Sequence, residues 1–148
     1  MAQPPKKGVT LMSAEENVAI ASRFIAEQDR RKGPPPDELC APGYTAHILS
    51  FPPMDLAGHA ALAKVFYGAF PDLKQTIEDA FADEEKAAVR YTITGTHDGE
   101  LMGVAPTGKQ VTVSGMMTFH IVAGKVEEAS CIIDQMALMQ QIGAIPSS

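Results

Sequence analysis

Gly124–Gly143, GKVEEASCIIDQMALMQQIG, is the stretch on which the fold turns. Ala123-Gly124 has the composition of a two-residue hairpin turn. A strand follows it to Asp134, and a short amphipathic helix opens at Gln135. Alternate residues of a strand share a face, so Val126, Glu128, Ser130, Ile132 and Asp134 fall together. Laid antiparallel to Lys109–Ile121 across that turn, the strand sets Asp134 opposite Val113, Ile132 opposite Gly115, Ser130 opposite Met117 and Glu128 opposite Phe119. A lone carboxylate among such apolar side chains is desolvated, which disfavours its charged form and suits a general acid/base working near neutral pH. An aspartate directly ahead of a helix is equally a favoured N-cap, and the spacing leaves both readings open.

Upstream of the hairpin the texture is also alternating. Gln110–Ile121 sets Val111, Val113, Met117 and Phe119 against Thr112, Ser114, Thr118 and His120. His120 thereby faces away from Asp134 and reads as a surface residue. Ala87–His97 is a strand with Val89, Tyr91, Ile93, Gly95 and His97 on one side and Arg90, Thr92 and Thr94 on the other. Lys74–Ala82 is a further strand, joined to it through the charged turn Asp83–Lys86. The glycine- and proline-bearing segment Asp98–Gly108 connects two of these strands.

The first half of the chain is helical. Ser13 and Glu16 form a capping box, and Val18, Ala21, Phe24 and Ile25 continue an apolar stripe to about Gln28. Asp29–Lys32 reads as a solvated helix end, with cations near the negative pole of the helix. Gly33 and three prolines stop the helix. A second helix spans Leu56 to Phe70, with Leu62, Val65, Phe66 and Ala69 on one side and His59 in its first turn, where a histidine is usually exposed. Between them only Tyr44–Leu49 has the pattern of a short strand or turn, and His47 lies within it. A lone histidine there is more often a structural residue than a ligand. Residues 1–12 have no periodicity and read as a flexible tail ahead of one domain, 13–148. Two helices, several antiparallel strands and a last helix make an α+β domain.

Composition closes off several functions. Twelve basic and eighteen acidic residues give a net charge of −6, which argues against a nucleic-acid surface. No apolar run approaches the length of a membrane span, and the amino terminus lacks the apolar core of a signal peptide, so the cytoplasm is the expected location. Cys40 and Cys131 have no partner motif for metal or redox chemistry. There is no phosphate-binding glycine loop, no HExxH and no serine elbow. No cofactor and no metal are therefore expected, and any chemistry is acid/base work in a pocket.

Several local motifs occur together: Phe70-Pro71-Asp72, Gly95-Thr96-His97, Pro106-Thr107-Gly108, and the ending Asp134, Leu138, Gln141 and Gly143. In this combination, from the helix at Asn17 to Gly143, the chain strongly resembles the SnoaL-like polyketide cyclases, also called ester cyclases. These belong to the superfamily built like nuclear transport factor 2. The resemblance implies a cone-shaped roll, with a curved mixed or antiparallel sheet wrapped by helices around a deep pocket. It also implies a cofactor-free intramolecular aldol condensation in which the aspartate of the last strand, here Asp134, is general acid and base. His97 and His47 match pocket-facing positions and become candidates to hydrogen-bond the developing oxyanion. The substrate walls would be Tyr91, Val113, Met117, Phe119, Ser130 and Ile132. Ser130 stands where relatives carry tryptophan, which removes a large apolar wall. The implied partners are a small apolar or polyketide-like substrate and a second copy of the chain in a homodimer. Because one fold hosts many activities, a non-catalytic small-molecule binder and a ketosteroid-isomerase-like isomerase or lyase remain as alternatives. An epoxide hydrolase ranks lowest, since Arg90 faces away from Tyr91 and His97.

Overall fold

A computed structural model describes residues 13–146; the expected tail, residues 1–12, lies outside them. Helix α1, Ala14–Arg31, opens on the capping box, with Ser13 Oγ accepting from the Glu16 amide and Glu16 Oε1 from the Ser13 amide, each at 3.1 Å. It runs one turn past Gln28, because Arg30 and Arg31 both bond Glu27 and Arg31 also reaches Glu38. A 3-10 turn, Asp37–Leu39, leads into β1, Cys40–Ile48. Helix α2, Leu56–Ala69, is capped by Asp55. Then come β2 (Lys74–Ala82), β3 (Lys86–Thr96), β4 (Gln110–Val122), β5 (Lys125–Ile133) and helix α3, Gln135–Gln141.

The strands form one open mixed sheet in the order β1-β5-β4-β3-β2, antiparallel throughout except where β1 runs parallel to β5. This is the α+β cone that the resemblance implied. β1 is longer than the Tyr44–Leu49 segment expected. Pro42 and Gly43 weaken its local signal, and β5, the strand it pairs with, lies some eighty residues downstream.

The hairpin register is half as expected. Val122 pairs with Lys125 and Ile121 with Val126, as a two-residue turn requires. Glu127 then has no partner, and beyond this β-bulge His120 pairs with Glu128, Phe119 with Ala129, Met117 with Cys131 and Gly115 with Ile133. One extra residue sends every later side chain to the other face. Ala129, Cys131 and Ile133 thus turn to the covered face, while Glu128, Ser130 and Ile132 turn away from it. The pairing of Asp134 with Val113 expected above does not form. The bulged register buries alanine, cysteine and isoleucine, whereas the unbulged one would bury glutamate, serine and aspartate without partners, at a cost of several kcal/mol.

Phe24 of α1 meets Phe119 of β4 edge-on, with ring centroids 5.1 Å apart, at the centre of the larger apolar cluster. A second cluster joins the end of α2 to β4 and α3 through Phe70, Leu101, Val111, Val113, Leu138 and Ile142. Tyr91 and Met117 of the first cluster and Phe70 and Val113 of the second share a cavity.

Candidate active site

The cavity lies between α2 and the covered face of β3, β4 and β5, and measures about 750 Å³ out to its open mouth. Leu62, Phe66, Ile93, Val111, Val113 and Leu138 give it apolar walls, with polar groups at Gln28, His59, Tyr67, Gln75, Tyr91 and Cys131.

His59 is the histidine of this cavity. It is 5% exposed, and its Nδ1 lies 2.8 Å from Tyr44 Oη and its Nε2 3.5 Å from Gln28 Nε2. The Tyr44 and His59 rings stack with an interplanar angle of 8°. Burial pushes the His59 pKa down to about 4, so it is a neutral imidazole at pH 7. The helical spacing held the signal for it. Leu62, Ala63, Phe66 and Tyr67 lie three, four, seven and eight residues after His59, and all line the cavity. Placing Val65 on the inner stripe instead rotated the helix and hid His59; Val65 is 41% exposed.

A second polar group joins three elements. Asp29, in the last turn of α1, accepts from Tyr67 Oη at 2.5 Å and from Gln75 Nε2 at 3.1 Å through Oδ1, and from the Gln75 amide at 2.8 Å through Oδ2. Burial, then the bond to Asp29, raises the Tyr67 pKa, and the phenol stays protonated. The expected solvated helix end is therefore correct for Arg30 but not for Asp29. Tyr91 Oη lies 3.1 Å from Cys131 Sγ, and burial raises the pKa of both groups.

Of the residues named from sequence, Tyr91, Val113 and Met117 line the cavity. Phe119 is buried in the core against Phe24, away from the cavity walls. Ser130 and Ile132 face the opposite side of the sheet because of the bulge, and Ile132 is 63% exposed. Asp134 is exposed, and its Oδ1 accepts from the Ala137 amide at 2.9 Å, capping α3. The apolar surroundings expected for its carboxylate are absent. His47 pairs with Ser130 across β1 and β5 on that same outer face, and its Nε2 lies 2.9 Å from Glu128 Oε1. His97 is wholly buried but sits behind the cavity wall, with its ring 5.4 Å from that of Phe70 and Nδ1 3.0 Å from Thr107 Oγ1. Its Nε2 has no hydrogen-bond partner among the described residues. His120 is near the surface, 3.8 Å from Glu127 Oε2, as expected. Among the described residues no three His, Cys, Asp or Glu side chains converge as metal ligands, and no helix is long and apolar enough to cross a membrane.

Comparison with solved structures returns the same fold repeatedly. AclR from Streptomyces galilaeus, assigned as a hydroxylase, superposes with a TM-score of 0.81 at 28% identity, over 92% of this chain and 86% of that one. A protein from Acidithiobacillus ferrooxidans assigned as a polyketide cyclase gives 0.72 at 26% identity, over 86% and 94% of the two chains. One from Bacillus cereus with the same assignment gives 0.72 at 25% identity, over 98% and 99%. Comparison with curated protein sequences gave no significant match. The description SnoaL-like polyketide cyclase matches residues 19–142, and with the neighbours it supports a cyclase-like function. On that match, which spans most of the sequence, this chain belongs to the SnoaL-like polyketide cyclase family.

Proposed function

We propose that the protein closes a ring in a small polyketide-like ester by cofactor-free intramolecular aldol condensation within the cavity. The observation that carries this reading is the cavity: an open-mouthed pocket with apolar walls and a few fixed polar groups. A carbon flanked by two carbonyls is already acidic. The protein then mainly holds the nucleophilic carbon near the acceptor carbonyl and keeps water away. The enolate formed on deprotonation attacks the internal carbonyl, and the same acid returns a proton to the new alkoxide. Asp134 is our assignment for that acid and base, acting from the rim. It adjoins Ile133 and precedes Leu138 by one helical turn, and both of those side chains are in the wall. In the assay, an aryl ketone bearing a β-ketoester side chain, whose activated carbon can reach the ketone carbonyl, is incubated with the protein and ring closure is followed by chromatography. Asp134→Asn should lower kcat by ~10²- to 10⁴-fold without loss of fold. Normal turnover by that variant would remove Asp134 from the mechanism.

The second reading is a carrier that binds its ligand unchanged. The exposure of Asp134 and its engagement with the Ala137 amide favour it. Recovery of an unmodified ligand, with no cyclisation of any activated ester, would decide for the carrier.

A further inference from the structure

We infer that Asp29, Tyr67 and Gln75 form a subsite that accepts a hydrogen bond from a hydroxyl group, enolic or phenolic, on the molecule in the cavity. The inference rests on the cavity being the substrate site, as proposed above, and adds to it the class of group that the occupant carries.

The direction of the hydrogen bonds decides which group fits. The only proton of the Tyr67 hydroxyl is committed to Asp29 Oδ1 at 2.5 Å. Gln75 Nε2 lies 3.1 Å from Asp29 Oδ1 and 3.3 Å from Tyr67 Oη, so close together that one N–H is shared between them, and the Gln75 main-chain amide donates to Asp29 Oδ2 at 2.8 Å. The Tyr67 hydroxyl and the Gln75 main-chain amide are thus both turned toward the carboxylate. What the Tyr67 hydroxyl can still offer as a cavity-lining group is the second lone pair of its Oη, an acceptor. Tyr67 is only 7% exposed, so little water reaches its oxygen. A carbonyl presented to Tyr67 Oη would set lone pairs facing one another, whereas a hydroxyl can donate to it. The Asp29 charge polarises the Tyr67 O–H bond and makes the phenol oxygen a better acceptor than an isolated tyrosine. An ammonium group would also donate, but stripping it of water within apolar walls opposes its entry. Asp29 does not line the cavity and acts through Tyr67, as a positioning residue.

The test uses 2-naphthol, 2-methoxynaphthalene and 2-naphthylmethylammonium, titrated calorimetrically into the full chain. The methoxy compound keeps the ring and the oxygen but lacks the donor. Wild-type protein should bind 2-naphthol about tenfold tighter than 2-methoxynaphthalene, the worth of one net hydrogen bond. Tyr67→Phe should bring that ratio to about one while leaving the methoxy affinity unchanged, which also reports an intact cavity. Asp29→Asn, which keeps the shape and a carbonyl acceptor for Tyr67, should lower the ratio to about threefold as the charge is lost. Equal binding of the two neutral compounds by wild type would overturn the subsite alone, as would a ratio that survives either substitution. Tighter binding of the ammonium compound than of 2-naphthol would replace the hydroxyl site with an amine site. Binding of none of the three would overturn the cavity as the substrate site, and the subsite with it.

Discussion

Tyr44 Oη and His59 Nδ1 lie 2.8 Å apart, joining β1 to the first turn of α2 through two side chains that are 3% and 5% exposed. Both fit this place only in their neutral forms. Burial raises the pKa of Tyr44 and lowers that of His59 to about 4.

Stability should therefore fall in mild acid. The unfolded chain takes up a proton on His59 near its ordinary value of 6.5, and the folded chain only near 4. Between those values the unfolded state binds more protons, so stability is full above about pH 6.5 and declines as pH falls toward 4. The shift corresponds to roughly 3 kcal/mol. Urea melts of wild type and His59→Gln at pH 7 and pH 4 should differ by about that much in their acid loss. Equal losses would show that His59 is not held neutral.

Asp134 caps α3 through the Ala137 amide. Asp134→Ala should lower stability by about 1 kcal/mol, and Asp134→Asn by only a few tenths, as asparagine caps equally well. Denaturant midpoints of the two variants measure this, and the Asn variant separates capping from any loss of turnover.

Gly115 lies where β4 passes beneath the cavity floor. A Cβ there would come within 2.9 Å of Tyr91 Cζ and 3.0 Å of Ile133 Cγ2. Gly115→Ala should therefore destabilise by about 1–3 kcal/mol through overpacking. It should also weaken binding of an apolar probe such as 2-methoxynaphthalene, because Tyr91 and Ile133 both form the wall. Thermal melting and titration with that probe check the two effects.

Cys40 and Cys131 should both resist alkylation in the folded protein. Burial, aided by the negative charges of Asp37 and Glu38, pushes Cys40 up to about 12, and burial raises Cys131 above its ordinary value. Since the thiolate is the nucleophile, iodoacetamide at pH 8 should label neither residue until denaturant is added. Mass spectrometry of the intact chain reads the count directly.

Deleting Glu127 would remove the residue that carries the bulge. With it gone, Glu128 would follow Val126 directly, so the pairings of Val126 with Ile121 and Glu128 with His120 become consecutive and every residue keeps its face. Losing the bulge alone should therefore change stability by no more than about 0.5 kcal/mol, measurable as a shift in the urea midpoint.

Most of the architecture was legible in residue order. The Ser13 and Glu16 capping box, the alternation from Val89 to His97 and from Val111 to Phe119, and the turn at Ala123-Gly124 are local signals, and each structural element followed its own. Tyr91, Val113 and Met117 reached the cavity for the same reason, since strand parity on an unbroken ladder fixes a face. What local pattern could not supply was the single unpaired residue at Glu127. Its placement is set by what the completed sheet must bury, and it turned Ser130 and Ile132 outward and left Asp134 on the surface. The parallel pairing of β1 with β5 likewise fixed His47 beside Glu128, away from the cavity. The convergence of Asp29, Tyr67 and Gln75 joins residues from α1, α2 and β2, and only the packing of those elements brings them together. Sequence alone thus determined the elements and the family, because these are written in neighbouring residues. Tertiary structure decided which polar groups meet in the cavity, because that depends on sheet register and helix rotation summed over the whole domain.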